Sequence, residues 1–314
     1  MSNIIVTGGS GFIGSHIVNF LEKENHKVFN IDTKKISNKE NIDIDINNYK
    51  EISEFIKKNN VDYIFHIAAI ANARKSIEDT IQTVDVNIKG TSTILEAASN
   101  FNVKKVILAS TVWVFNACKD QGTKQSNEKK ILDENSKINP QGGGHFYTTS
   151  KIASELLCHD YKALKNLNFT ILRYGIPYGE GMWPGLVLRS FVENALNKKP
   201  LIINGDGSAK RRFIHVHDLA RAHVLSLNEK SDNKIISLEG NVDTTIKELA
   251  NLVSHFIPGT QVEFKIDNTR KGELDVENYE ISNDFALKCI NWKPEVQIKE
   301  GVKNYIEWFK KSNL

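Results

Sequence analysis

Missing from the 314 residues is any apolar run approaching the roughly 18 residues of a membrane span. Cysteine is scarce. Cys118, Cys158 and Cys289 are an odd number without metal-like spacing, so no disulfide framework is expected and buried or incidental thiols are. Neither sign of charge dominates: Lys and Arg number 41 against 38 Asp and Glu, and basic pairs such as Lys34-Lys35, Lys104-Lys105 and Lys198-Lys199 are scattered. No basic stripe marks a nucleic-acid partner. Met1 to Thr7 enters a strand rather than a signal peptide, so a cytoplasmic location is expected. What is present, 40% hydrophobic and 25% charged, is ordinary globular composition. It suffices for one large α/β domain, or for a main domain with a smaller lobe.

In the first half, short β-branched runs alternate with segments of helical period. Ile4 to Thr7, Lys27 to Asp32, Ile42 to Asp45, Tyr63 to His66 and Val106 to Ser110 read as strands; Phe12 to Glu24, Tyr49 to Lys58 and Glu78 to Asn100 read as helices. This order predicts an α/β, Rossmann-type doubly wound parallel sheet that binds its ligands at the carboxyl ends of the strands. A polar stretch, Asn116 to Gly144, reads as a long loop, either a flap beside the site or a plain insertion. A helix from Tyr147 to about Lys165 and a strand from Phe169 to Arg173 follow. The expected division is a cofactor-binding domain over 1–175 and, over 176–314, mainly a smaller α/β substrate-binding lobe, with some segments returning to the main domain.

Gly8, Gly11 and Gly14 lie directly after the first strand, in Thr7-Gly8-Gly9-Ser10-Gly11-Phe12-Ile13-Gly14, and open the first helix. Three glycines alone serve an ordinary turn, but strand, turn and helix in this order form a dinucleotide cradle, where exposed amides and the helix's positive end hold a pyrophosphate. Asp32 ends the second strand, 18 residues beyond Gly14. A carboxylate there accepts hydrogen bonds from the adenosine ribose and repels a 2′-phosphate, which favours NAD, although Lys34 and Lys35 are close by. The alternative is that Asp32 caps a turn.

Tyr147 and Lys151 stand four apart at a helix start and share a face. An ammonium beside a phenol, together with the positive nicotinamide, favours the phenolate and makes Tyr147 a base for a hydroxyl proton. Ala109-Ser110-Thr111 closes a preceding strand, and Thr111, rather than Ser110, is expected to bond the reacting oxygen.

With these residues assembled, the chain resembles the extended short-chain dehydrogenase/reductase (NAD-dependent epimerase/dehydratase) family, above all its nucleotide-sugar 4-epimerases such as UDP-glucose 4-epimerase. The resemblance spans nearly the whole length. It includes His66-Ile67-Ala68-Ala69, Asn87 to Thr91, Leu172-Arg173-Tyr174, Tyr178-Gly179, Gly205 to Ser208, Arg211 with Phe213, Val216 with Asp218, Arg270 to Glu273 and Trp292-Lys293-Pro294. It implies that Phe12, Ile13 and Tyr174 join the glycines around NAD, that Asp45 and Ile46 meet the adenine, that Ala68 and Ala69 line the cofactor channel, and that Lys151 also holds the nicotinamide ribose. It further implies that Thr111, Arg189, Arg211 and Arg270 contact a nucleoside-diphosphate sugar, the last two clamping its pyrophosphate with guanidinium forks. A homodimer paired through Glu78 to Asn100 and Tyr147 to Lys165 is implied as well.

Three features depart from the pattern: Ile176 stands where Asn is often found, Arg189 where Pro is frequent, and the segment between Thr111 and Tyr147 is long. In the family, dehydration and decarboxylation need an acidic residue two positions after the catalytic Thr, where this chain has Trp113. The expected activity is therefore oxidation at sugar C4, in a 4-epimerase. The alternatives are a net 4-dehydrogenase or ketoreductase that releases or reduces a 4-keto sugar, and a non-catalytic NAD-sensing module. His215-Val216-His217-Asp218 suggests a metal cluster by its letters alone. It is expected instead to be a strand face running into a helix capped by Asp218, without a third ligand, so no metal is expected.

Overall fold

The computed structural model describes residues 1–34, 41–118, 130–139, 144–265 and 279–312. Six strands form one parallel sheet in the spatial order Lys234–Leu238, Phe169–Tyr174, Lys105–Thr111, Tyr63–His66, Asn3–Thr7, Lys27–Ile31. The chain moves outward from Asn3–Thr7 to Lys27–Ile31 and then crosses back to Tyr63–His66, so the order reverses beside the first strand. That reversal opens a crevice at the strands' carboxyl ends.

Successive side chains point to opposite faces, and both faces are apolar. Ile4 and Val6 pack with Ile17 and Leu21 of the Phe12–Lys23 helix and Leu219 of the Val216–Leu225 helix. Ile5 packs with Ile52, Ile56, Ile94 and Leu95 on the other side. A third core, with Leu188, Phe191, Leu201, Leu249 and Tyr305, belongs to the later part of the chain. The strand Lys234–Leu238 and the helix Val216–Leu225 nevertheless join the main sheet and its first core.

Three elements differ from the sequence expectation. Ile42 to Asp45 makes only an isolated bridge, Ile31 to Ile42, because Asp45 already accepts the amide of Asn47 in a turn that leads into the Tyr49–Asn59 helix. Glu78 to Asn100 is not one helix. Asp79 caps a new start at Thr80, and a π-helical turn over Asp85–Lys89 precedes Gly90–Asn100. That turn carries buried Asn87, whose amide bonds both the N–H (2.8 Å) and the carbonyl (3.1 Å) of Ile70 and so ties down the segment after the third strand. Within the expected loop, Asn116 to Cys118 close a buried 3₁₀ segment, Val112–Cys118, and Lys130–Leu132 pairs with Tyr279–Ile281. Residues 119–129 and 140–143 of that stretch lie outside the described residues.

Candidate active site

The glycine turn is built for close approach. Gly8 has φ +71°, and a Cβ there would lie 2.8 Å from the Ala68 backbone; at Gly14 it would lie 2.2 Å from the Gly8 carbonyl. Only glycine fits either position, and no side chain caps the first-turn amides of the Phe12–Lys23 helix, which face a phosphate at this turn. Thr7 braces the neighbouring strand end. Its hydroxyl accepts the amides of Ile67 (3.2 Å) and Ala68 (3.3 Å) and lies 2.8 Å from His66 Nδ1, while His66 Nε2 meets Thr91 at 3.0 Å. Burial and the nearby Lys151 push His66 down to about 3, so it is a neutral brace.

Asp32 stands at the mouth of the crevice. One carboxylate oxygen accepts the Ser10 amide of the glycine turn (3.0 Å) and the other accepts the Lys34 amide (2.8 Å). It therefore caps its own turn and also faces the cradle, and the two expectations for it are compatible. Ile46 is buried against Gly90, and the Asp45 carboxylate is engaged by its own turn. Lys35 lies outside the described residues.

Thr111, at the end of the Lys105–Thr111 strand, shares a hydrogen bond with Tyr147, one residue into the Phe146–Lys165 helix, and Lys151 follows one turn later. All three are buried. Ser110 points elsewhere. Its hydroxyl donates to Glu155 (2.5 Å), which explains physically why Thr111 and not Ser110 meets Tyr147. The electrostatics differ from the sequence expectation. Burial raises Tyr147 to about 12, with the Thr111 bond pulling the other way, and Lys151 donates to the Ala109 carbonyl at 2.9 Å. Lys151 itself is lowered to about 8 by burial, against the opposing pull of Glu155. The phenol is thus an acid at neutral pH until further positive charge arrives.

Two residues not expected from sequence complete the wall. His145 caps the Phe146–Lys165 helix by accepting the Thr148 amide at 3.2 Å and stacks on Tyr147 (6.1 Å), while Trp113 packs edge-on against both rings. His223 Nε2 meets the Tyr174 hydroxyl at 2.5 Å, fixing a buried ring that pairs in register with Thr111. A cap two residues before Tyr147 was a readable signal for His145; nothing local pointed to His223.

The sequence of residues 4–238 matches the model of the NAD dependent epimerase/dehydratase family. The chain belongs to that family. A putative UDP-glucose 4-epimerase of Methanocaldococcus jannaschii is 34% identical, over 99% of each chain. Among solved structures, the UDP-glucose 4-epimerase of Thermotoga maritima with UDP-glucose superposes with a TM-score of 0.86 at 26% identity, covering 99% of this chain and 100% of the other. The UDP-glucuronic acid 4-epimerase of Bacillus cereus, in complex with UDP-glucuronic acid and NAD, gives 0.84 at 25% identity over 99% of both.

As a member of the NAD-dependent epimerase/dehydratase family, the protein is an enzyme of the extended short-chain dehydrogenase/reductase type, with NAD as its cofactor. The residues present fit that group, since no side chain caps the first amides of the Phe12–Lys23 helix and the Asp32 carboxylate is held on the same glycine turn. Asp32→Ala should narrow the preference for NAD over NADP by roughly tenfold or more, because the carboxylate that repels a 2′-phosphate is gone. Dissociation constants for both cofactors check this, and an unchanged ratio removes Asp32 from the ribose.

The arginines separate. Arg211 sits on the Lys210–His215 strand opposite Thr244, with one guanidinium nitrogen on the Lys210 carbonyl (2.6 Å). Arg189 is engaged by Glu193 (2.6 Å) and the Met182 carbonyl and lies over Phe309, so Nε and one terminal nitrogen are already held by this part of the chain. Arg270 lies outside the described residues. Asp218 does not cap its helix. His215 does, accepting the His217 amide, while the Asp218 carboxylate accepts the amides of Glu295 and Val296 at 3.0 Å each. His215 closes a strand and His217 opens a helix, so they share no strand face.

Glu239 follows the Lys234–Leu238 strand at the same end of the sheet, buried and packed against Gly175. Desolvation, only partly offset by the Gly240 amide and Arg212, lifts it from 4.5 to about 8. The folded chain therefore keeps a proton that the unfolded chain releases, and stability falls as pH rises from about 4.5 to about 8. Glu239→Gln should melt like the parent below pH 4.5 and gain on the order of a few kcal/mol by pH 8. Parallel melting curves across that range would remove the buried proton.

Proposed function

We propose that the protein is a UDP-sugar 4-epimerase. The observation that carries this reading is the contact of Thr111 with Tyr147 beside the glycine cradle, with the Trp113 ring against Tyr147 where dehydration would need an acid. Tyr147 takes the proton of the C4 hydroxyl, and Thr111 holds that oxygen in line with it. When bound, NAD supplies the hydride acceptor and donor, and its oxidised ring the positive charge that favours the phenolate. Lys151, anchored on the Ala109 carbonyl, adds a second positive charge and a donor for the nicotinamide ribose. The 4-keto sugar then turns within the crevice, Tyr147 returns the proton, and the opposite C4 configuration results without net redox. An indole such as that of Trp113 is neither an acid nor a base near neutral pH and so cannot serve proton transfer at C5 or C6, which leaves C4 chemistry as the outcome.

The substrate bridges the unit over 1–175 and the lobe formed mainly by 176–314, whose segments Val216–Leu225 and Lys234–Leu238 return to the main sheet, with Arg211 and Arg270 on its pyrophosphate. Incubation with UDP-glucose, UDP-N-acetylglucosamine and UDP-glucuronic acid, followed by proton NMR, should show the C4 epimer of at least one. Failure to epimerise any of them would reject the assignment.

The same reading makes the enzyme a cytoplasmic homodimer. None of the three cysteines is in a disulfide, as a reducing compartment requires. Ile81 on Thr80–Val84 is 85% exposed and Leu156 on the adjoining Phe146–Lys165 helix 60% exposed, the apolar surface that helix pairing would cover. Ile81→Glu with Leu156→Glu should halve the mass seen by light scattering; a parent already monomeric at micromolar concentration overturns the dimer.

A further inference from the structure

A second chemical cluster lies on the Phe12–Lys23 helix, at the boundary with the substrate lobe. His16, two residues beyond Gly14, meets Glu180 from the turn after Ile176–Tyr178 and His217 from the first turn of Val216–Leu225. Each offers one ligand atom, and these atoms lie within 4.8 Å of one another. His16 Nε2 is 2.9 Å from the Glu180 carbonyl, and the His16 and His217 rings meet at 5.1 Å. The intervening chain explains why the sequence concealed this. The two histidine letters of His215-Val216-His217 are not the pair; the further ligands come from 201 and 37 residues upstream of His217.

Two observations make the cluster more than proximity. Among the described residues, the buried carboxylate oxygen Oε2 of Glu180 has no hydrogen-bond partner, and neither has Nε2 of His215, whose side chain is 2% exposed; the two atoms face each other at 3.7 Å. An acceptor without a donor in a buried place is costly, so the carboxylate is left seeking a cation or a proton. Glu180 also stands between Gly179 (φ +134°) and Gly181 (φ +83°), backbone angles that side chains disfavour, and a Cβ at Gly179 would lie 2.8 Å from Val216 and 3.2 Å from His215 Nε2, so the turn is packed tightly against the start of the Val216–Leu225 helix. His217 Nε2 lies 3.7 Å from the same oxygen. A tetrahedral ion with bonds of about 2.0–2.2 Å needs ligand atoms nearer to ~3.4 Å, a short side-chain movement.

We infer that His16, Glu180 and His217 form a binding site for a divalent transition cation of the zinc class, with water completing the shell. His215 supports it from behind: its Nδ1 accepts the His217 amide, so a neutral ring carries its proton on Nε2 and presents it to the Glu180 carboxylate. The positive end of the Val216–Leu225 helix opposes a cation, and the Glu180 charge offsets it. The ion would join the helix that opens the cofactor cradle, and the Val216–Leu225 helix packed beside it, to the turn after Ile176–Tyr178, a clasp separate from Thr111 and Tyr147 in role and residues. The two imidazoles and one carboxylate suit zinc or cobalt(II) better than magnesium or calcium, which prefer all-oxygen shells.

The test uses the full chain, stripped of metal, with Zn(II) by calorimetry and Co(II) by visible absorption. One Zn(II) per chain should bind at micromolar or tighter affinity, with a rise in melting temperature and Co(II) d–d bands of a low-coordinate nitrogen and oxygen site. His217→Asn, at a ring 45% exposed, and separately Glu180→Gln should each weaken Zn(II) by at least tenfold and abolish those bands, whereas Cys289→Ser should change neither. Circular dichroism establishes that each variant is folded. No saturable Zn(II) uptake by the parent, or uptake unchanged in both ligand variants, overturns the site.

Discussion

Tyr147→Phe should bind NAD nearly as the parent does and lose about 10²- to 10⁴-fold in turnover. The ring keeps its packing against Trp113 and His145, while the oxygen that meets Thr111 and the substrate hydroxyl is removed. Rapid-quench turnover and a cofactor-binding titration separate the two effects. Because burial holds the parent phenol near 12, the parent's dependence of kcat/KM on pH should report how far bound cofactor and Lys151 bring it down. Near-parental turnover in the variant would assign proton transfer to another group.

The second large effect is on stability. Glu155 accepts two bonds from Arg173, at 3.0 and 2.7 Å, and one from Ser110, with both charged side chains almost wholly buried beneath the site. Glu155→Leu leaves the guanidinium buried without its counter-charge and should cost about 3–5 kcal/mol. Replacing Arg173 by Met in the same chain should recover much of that loss, since the pair's own net contribution is small once neither charge remains. Urea unfolding of the two single variants and the double variant measures this as a coupling energy. Additive losses would mean that the two charges do not compensate one another.

Much of the architecture was legible because its signals are local. The runs Ile4 to Thr7 and Val106 to Ser110 are β-branched and bounded by turns, and Gly8 to Gly14 announces strand, turn and helix within a few residues. The run Ile42 to Asp45 misled, since periodicity over four residues does not reveal that a turn claims its end. Asp79 and the π turn around Asn87 broke an otherwise continuous helical pattern, and only the contact with Ile70 gives that break its purpose. At the site, Tyr147, Lys151 and Thr111 followed from spacing and strand position. His223 on Tyr174, Glu155 on Arg173, and Glu180 beside His16 and His217 are pairings across long stretches of chain. No periodicity within one element joins such partners, which sit on different elements. Arg189 shows a local pairing that spacing does reveal, since Glu193 stands one helical turn on and holds its Nε.

In a 4-epimerase, hydride leaves C4 and returns to C4 within one closed site. UDP-glucose and UDP-N-acetylglucosamine, each deuterated at C4, can be incubated with the enzyme in ordinary water and the products resolved by NMR and mass spectrometry. The expected product is a C4 epimer that retains its deuterium at C4, formed without stoichiometric accumulation of NADH. Deuterium lost to solvent, or a 4-keto sugar released with no epimer, would contradict it.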